Sequence, residues 1–196
     1  MMDDVLATID VRRRRFTVEE YYRMAEVGIL TESERVELIE GEIIQMSPIG
    51  LRHSLCVAAL INHLTRAIGD RAHIWASNPV RLFRDTEPQP DVVFIRGPLS
   101  RYSQHPGPSD VLFLVEVSDT SYRFDHHVKL PLYARASVPE VWIVDLTRDA
   151  IEVFRQPSPS GYGFTQRIER GGTVAPLAFP DVVLAATEIL PAWPSQ

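Results

Sequence analysis

Two apolar runs each carry one acidic residue, and this pairing constrains the fold more than any other feature. Asp91 leads Val92-Val93-Phe94-Ile95, and Glu116 interrupts Val111-Leu112-Phe113-Leu114-Val115-Glu116-Val117. Short runs rich in β-branched and aromatic residues, bounded by Pro, Gly, Ser and Asp, predict buried β-strands. A buried carboxylate without a partner is strongly destabilising or takes up a proton. That cost falls if the two acids share a cation. They stand 25 positions apart, far enough for two neighbouring strands and a long connection, so both carboxylates can emerge at one end of a sheet.

The remaining pattern surrounds those strands with helices. Thr17 is placed to cap a helix, Glu20 completes a capping box, and Tyr21, Met24, Ala25 and Leu30 supply its apolar face. A hairpin over 35–44 turns at Glu40-Gly41. Its alternation sets Val36 and Leu38 on one face and Glu37 and Ile39 on the other, with Glu37 either in solvent or aimed at a site. After the loop Met46-Ser47-Pro48-Ile49-Gly50, apolar residues Leu55, Ala59, Leu60 and Leu64 predict a helix to about residue 68. Strands are expected at 73–76 and 79–83, before the Asp91 strand. The Glu116 strand is followed by a helix over 123–136, a strand at 141–145, and a hairpin pairing 151–154 with 163–168. From Gly171 onward the pattern shows short apolar pieces without regular structure. The order implies an α/β fold: a mixed sheet flanked by helices, with an extra N-terminal helix and β-hairpin.

Composition narrows the class. A chain of 196 residues, 45% hydrophobic and 23% charged, suits one globular core. The expected organisation is a tail at 1–15, a single domain at 16–190 and a tail at 191–196. The Arg12-Arg13-Arg14-Arg15 run reads as solvated charge, with phosphate contact the lesser alternative. No apolar stretch approaches the ~18 residues of a membrane helix, and the N-terminus lacks a secretory pattern, so the expectation is a cytoplasmic protein with no membrane partner. Cys56 is the one cysteine, which excludes an internal disulfide framework and a thiolate zinc cluster and leaves a buried core thiol. The net charge of −6 argues against broad nonspecific nucleic-acid binding but not against a local basic face.

Paired carboxylates are hard oxygen donors of the kind that bind Mg²⁺ or Mn²⁺. Lys129, on the helix after the Glu116 strand, is the candidate positive group, its alternative being a surface pair with Asp125. His53, His63 and His73 have no metalloprotease-type spacing, and Ser118 has no nucleophile-elbow context. His126 and His127 cannot both face one way on a helix, and surface placement is expected. Trp142, Trp75 and Phe94 read as core.

Gln89-Pro90-Asp91 with Val115-Glu116-Val117 resembles the PD-(D/E)xK nuclease superfamily. More specifically, the chain resembles the Uma family of restriction-endonuclease-like proteins from about residue 16 to 190. The resemblance rests on an ordered set: 37–43, Met46-Ser47-Pro48, His53, Pro90-Asp91-Val92, 115–118, Asp125, Lys129, Tyr133-Ala134 and 138–145. It implies an αβββαβ core in which Asp91, Glu116 and the Val117 carbonyl hold the metal. It further implies that the superfamily's strand lysine, replaced here by Ser118, has moved to Lys129. Ser137 departs from the glycine that relatives carry, which bears on the turn. The resemblance puts His53 near the site, holding phosphate or a metal-bound water, or serving as a structural histidine. The expectation is therefore a metal-dependent endonuclease acting on DNA, with Asp91, Glu116, Lys129, His53 and Glu37 in its site and a homodimer as a plausible assembly. The alternative is a noncatalytic nucleic-acid- or protein-binding module that keeps the fold.

Overall fold

The computed structural model describes residues 13–31, 33–190 and 192. The chain opens with α1 (Val18–Glu26) and a hairpin of β1 (Val36–Ile39) and β2 (Glu42–Gln45). Next come α2 (Leu51–Ile68), β3 (His73–Ile74), β4 (Val92–Ile95) and β5 (Val111–Ser118). One helical stretch follows, made of α3 (Tyr122–Phe124), a π-helical segment Asp125–Lys129 and α4 (Leu130–Arg135). Then come β6 (Glu140–Asp145), β7 (Ala150–Ser158) and β8 (Gly161–Glu169). The end holds β9 (Thr173–Val174), β10 (Leu184–Ala185) and α5 (Ala186–Ile189).

Strands β3 to β8 form one sheet in sequence order. Only the β5–β6 pair within it is parallel, and the α3–α4 stretch makes that crossover. This is the expected mixed α/β fold, with α2-β3-β4-β5-helix-β6 in the αβββαβ order.

The strand period of two divides the core. Val92, Phe94, Phe113, Val115 and Trp142 face α2, where Cys56, Leu60, Leu64 and Ile68 form a stripe at helical spacing. Val93, Ile95, Leu114, Val141 and Ile143 face the other way, against Leu130, Leu132 and Tyr133. Truncating a fully buried leucine such as Leu60 costs about 2–5 kcal/mol in such a core. Burial pushes the Cys56 thiol up to about 12, with Asp91 adding to the shift. Cys56 is therefore expected not to react with a thiol reagent at pH 8 until the protein is denatured, which a colorimetric thiol titration checks.

The expected cap on α1 is present: Glu20 N–H donates to Thr17 Oγ1 at 3.2 Å, and Thr17 N–H to Glu20 Oε2 at 3.0 Å. In the hairpin, Glu40 and Gly41 both have positive φ (47° and 76°), as a two-residue turn matching strand twist requires. A side chain at Gly41 would also meet Arg15 Cβ at 2.4 Å.

Several expectations are corrected. Residues 79–83 are not a strand. Prolines at 79, 88 and 90 remove donors from any ladder there, leaving isolated bonds such as Val80 N–H to the Pro88 carbonyl at 2.9 Å. Ala25 and Leu55 are exposed, and Leu30 lies beyond α1, because the buried helix faces run through Val18 and through Cys56–Ile68 instead. The segment after Gly171 is structured, and Val174, Phe179, Val182, Leu184 and Ile189 join the α2-side core. Trp142 and Phe94 are buried, and Trp75 packs at the edge of the second core with its indole N–H on the Pro79 carbonyl. Residues 1–12 of the expected N-terminal tail, and 191 and 193–196 of the C-terminal one, lie outside the described residues. Arg14 pairs with Glu20, and Arg15 lies 3.8 Å from Glu42. Among the described residues no helix is long and apolar enough to cross a membrane.

Ser137 adopts φ 62°, the left-handed region that favours glycine. Ser137→Gly is expected to raise stability by about 0.5–1 kcal/mol. Thermal unfolding should show this as a rise of about 1–4 °C for a chain of this size.

Candidate active site

The β4–β5 register places Val92 opposite Val115. One step further along the antiparallel pair, Asp91 falls beside Glu116; Glu116 points to the sheet face toward the α3–α4 helix, while the Asp91 carboxylate reaches α2 through His53. Asp91 Oδ2 accepts the Val117 N–H at 2.7 Å, so the acid is tied to the β5 backbone as β4 begins. Both strands are interior to the sheet, so neither acid is carried by an edge strand.

Each acid has a different basic neighbour. His53, in the first turn of α2, brings Nε2 to 3.1 Å from Asp91 Oδ1. That bond to Asp91 raises the imidazole's pKa against the opposing effect of burial. Its Nδ1 is buried with no hydrogen-bond partner. Glu116, only 2% exposed, accepts the Tyr133 hydroxyl at 2.5 Å and lies 3.3 Å from Lys129 Nζ. Burial pushes the Glu116 carboxyl well above its usual range; Lys129 opposes the shift, while Asp125 and Asp91 add to it.

Lys129 Nζ also sits 3.1 Å from Glu37 Oε2, which accepts the Gln89 N–H at 3.0 Å. Burial acts to strip the proton from Lys129, but Glu116, Glu37 and Asp125 outweigh it, and the ammonium is held charged. Glu37 is 2% exposed, which corrects the solvent alternative for it: the hairpin is covered on both faces, and the carboxylate is buried against the lysine. The lysine reaches the acids from a helix, while Ser118, at the usual lysine position, donates its hydroxyl to Asp125 Oδ2 at 2.7 Å.

Asp91, Glu116, Val117, Lys129, His53 and Glu37 line one cavity of about 480 Å³. The other histidines lie elsewhere. His126 stacks on Tyr122, His127 is exposed, His63 lies 3.7 Å from Glu188, and His73 packs under Gly97.

Two participants stood in the family pattern but were not among the expected site residues. Asp125, 4% exposed, accepts both Ser118 and Ser121 hydroxyls, the latter at 2.6 Å. It occupies the π-helical segment with Lys129, a local widening of the kind often found at functional sites. Its signals were its place four residues before Lys129 and its position in the ordered family pattern. Tyr133 lies four residues after Lys129 and is fully buried, so helical spacing could have marked it as a partner of the same site.

Among the described residues no three His, Cys, Asp or Glu side chains form a preformed metal cage. Two carboxylates are nevertheless a suitable donor set for Mg²⁺ or Mn²⁺, which keep several waters and bind through one or two acids. Burial, Asp125 and Asp91 all disfavour the ionised form of Glu116, and a cation beside the carboxylate would join Lys129 in opposing them.

Comparison with known proteins bears on the fold and the family. No curated protein matches the chain. A solved structure described as "a putative nuclease belonging to DUF820" from Anabaena variabilis is 16% identical. It matches with a TM-score of 0.67 over 89% of this chain and 97% of that one, a likeness of fold. The Uma2 family model, described as "Putative restriction endonuclease", matches residues 18–187. Matched over most of its length, this chain belongs to the Uma2 family.

Proposed function

We propose that the protein is a divalent-metal-dependent endonuclease that hydrolyses DNA phosphodiester bonds, built as one domain over residues 16–190. One observation carries the reading: Asp91 and Glu116, on neighbouring central strands, line a single cavity together with the buried ammonium of Lys129. Asp91, Glu116 and the Val117 carbonyl would hold Mg²⁺ or Mn²⁺. Bound there, the ion supplies a Lewis acid for the phosphoryl oxygen and lowers the pKa of its water.

The chain's own residues supply the rest. Lys129, kept protonated by Glu116 and Glu37, offsets negative charge that develops on the phosphoryl group. Glu37 and Tyr133 fix the positions of Lys129 and Glu116 through their hydrogen bonds. His53 holds Asp91 through Nε2 and can carry a proton at that atom.

A second reading has one observation in its favour. Each acid already has an internal partner, His53 or Lys129, as expected of a noncatalytic binding module that retains the fold. Nicking of supercoiled plasmid separates the two readings. The nuclease should nick in Mn²⁺ or Mg²⁺ and stop on addition of a chelator. Activity that survives both Asp91→Ala and Glu116→Ala would eliminate the mechanism.

A further inference from the structure

We infer that the cavity takes an unpaired DNA strand and not an intact duplex, an inference that rests on the nuclease reading above. Depth is the first reason. Glu116 and Lys129 on the cavity floor are 2% and 4% exposed, so a phosphate must enter the recess to reach them. The walls come from two separate segments, 44–50 at the end of β2 and in the loop after it, and 119–121 with Arg123 and Phe124 before the π-helical segment. A volume near 480 Å³ is that of a small-ligand pocket. A stiff double helix lowers one backbone phosphate into such a recess only by bending sharply, at a cost of about 1–6 kcal/mol. A single strand turns its phosphate inward freely.

Charge is the second reason. Beyond His53 and the buried Lys129, the cations among the described lining residues are Arg35 and Arg123, and Asp119 sits with them. The chain as a whole carries −6. Duplex binding draws on a run of phosphate contacts, and this mouth offers contacts for a short length of one backbone.

The third reason is Phe124. Its ring lines the cavity and is partly exposed, with Lys129 Nζ 5.9 Å from its centroid. An aromatic face beside a cation is the common platform for an unpaired base.

Two measurements on the full chain test this. In Ca²⁺, fluorescence anisotropy compares binding of a labelled single-stranded oligonucleotide with a hairpin duplex of the same sequence. In Mn²⁺, cleavage of the same two probes is timed. The single strand should bind and be cut at least tenfold better. Phe124→Leu, which keeps apolar packing, should weaken single-strand binding several-fold with an unchanged unfolding temperature; no change in binding would remove the stacking argument and overturn the inference. A duplex cut as fast as the single strand, with cleavage lost in Glu116→Gln, would overturn the inference and leave the nuclease reading standing. If neither probe is cut in Mn²⁺ or Mg²⁺, the nuclease reading fails and the inference falls with it.

Discussion

Lys129→Met is expected to abolish metal-dependent nicking and to cost about 3–5 kcal/mol of stability in the same protein. Lys129 Nζ lies between Glu37 at 3.1 Å and Glu116 at 3.3 Å, all three almost fully buried. Removing the ammonium leaves two carboxylates facing each other without the cation that neutralises them. Charge burial of this kind is among the few causes of very large losses from one substitution. Urea unfolding measures the stability loss and plasmid nicking the activity. Lys129→Arg is not a conservative control, since a planar guanidinium does not fit where a compact ammonium meets two acids. A variant that nicks at near wild-type rate with unchanged stability would remove Lys129 from the account.

Glu116→Gln should separate those two effects. Cleavage is expected to fall by at least about 10²-fold, the scale of losing one charged group that acts in the transition state. Stability in chelator should hold or rise. Burial already disfavours the Glu116 charge, and a neutral amide of the same shape avoids that cost while still accepting from Tyr133. Asp91→Asn should lose activity to a similar degree but also about 1–2 kcal/mol, because its two oxygens serve Val117 N–H and His53. A large stability loss in Glu116→Gln would mean that the carboxylate is there for structure.

The sheet was legible because its strands are short, apolar and punctuated. The Asp91 and Glu116 runs, the Trp142 strand and both hairpins stand where alternation and turn residues put them. Residues 79–83 misled because β-branched and aromatic side chains suggested a ladder that neighbouring prolines prevent. Of the candidate site, the acids and the lysine that line one cavity were legible, since charges inside apolar runs and an ordered family pattern both point there. Its support was not. Glu37 reads equally well as exposed until the hairpin is seen to be covered on both faces. Asp125 meets Ser118 and Tyr133 meets Glu116 only once the helix packs on the sheet, and the π-helical segment carrying Asp125 has no sequence signal.

The central claim is that Asp91 and Glu116 grip one divalent ion between neighbouring strands. Crystals soaked in Mn²⁺ and measured at its absorption edge would locate the ion directly. The account predicts one strong anomalous peak bridging the two carboxylates, with the Val117 carbonyl as a further ligand. At saturating Mn²⁺, no peak between them, with His53 still on Asp91 and Lys129 still on Glu116, would contradict it.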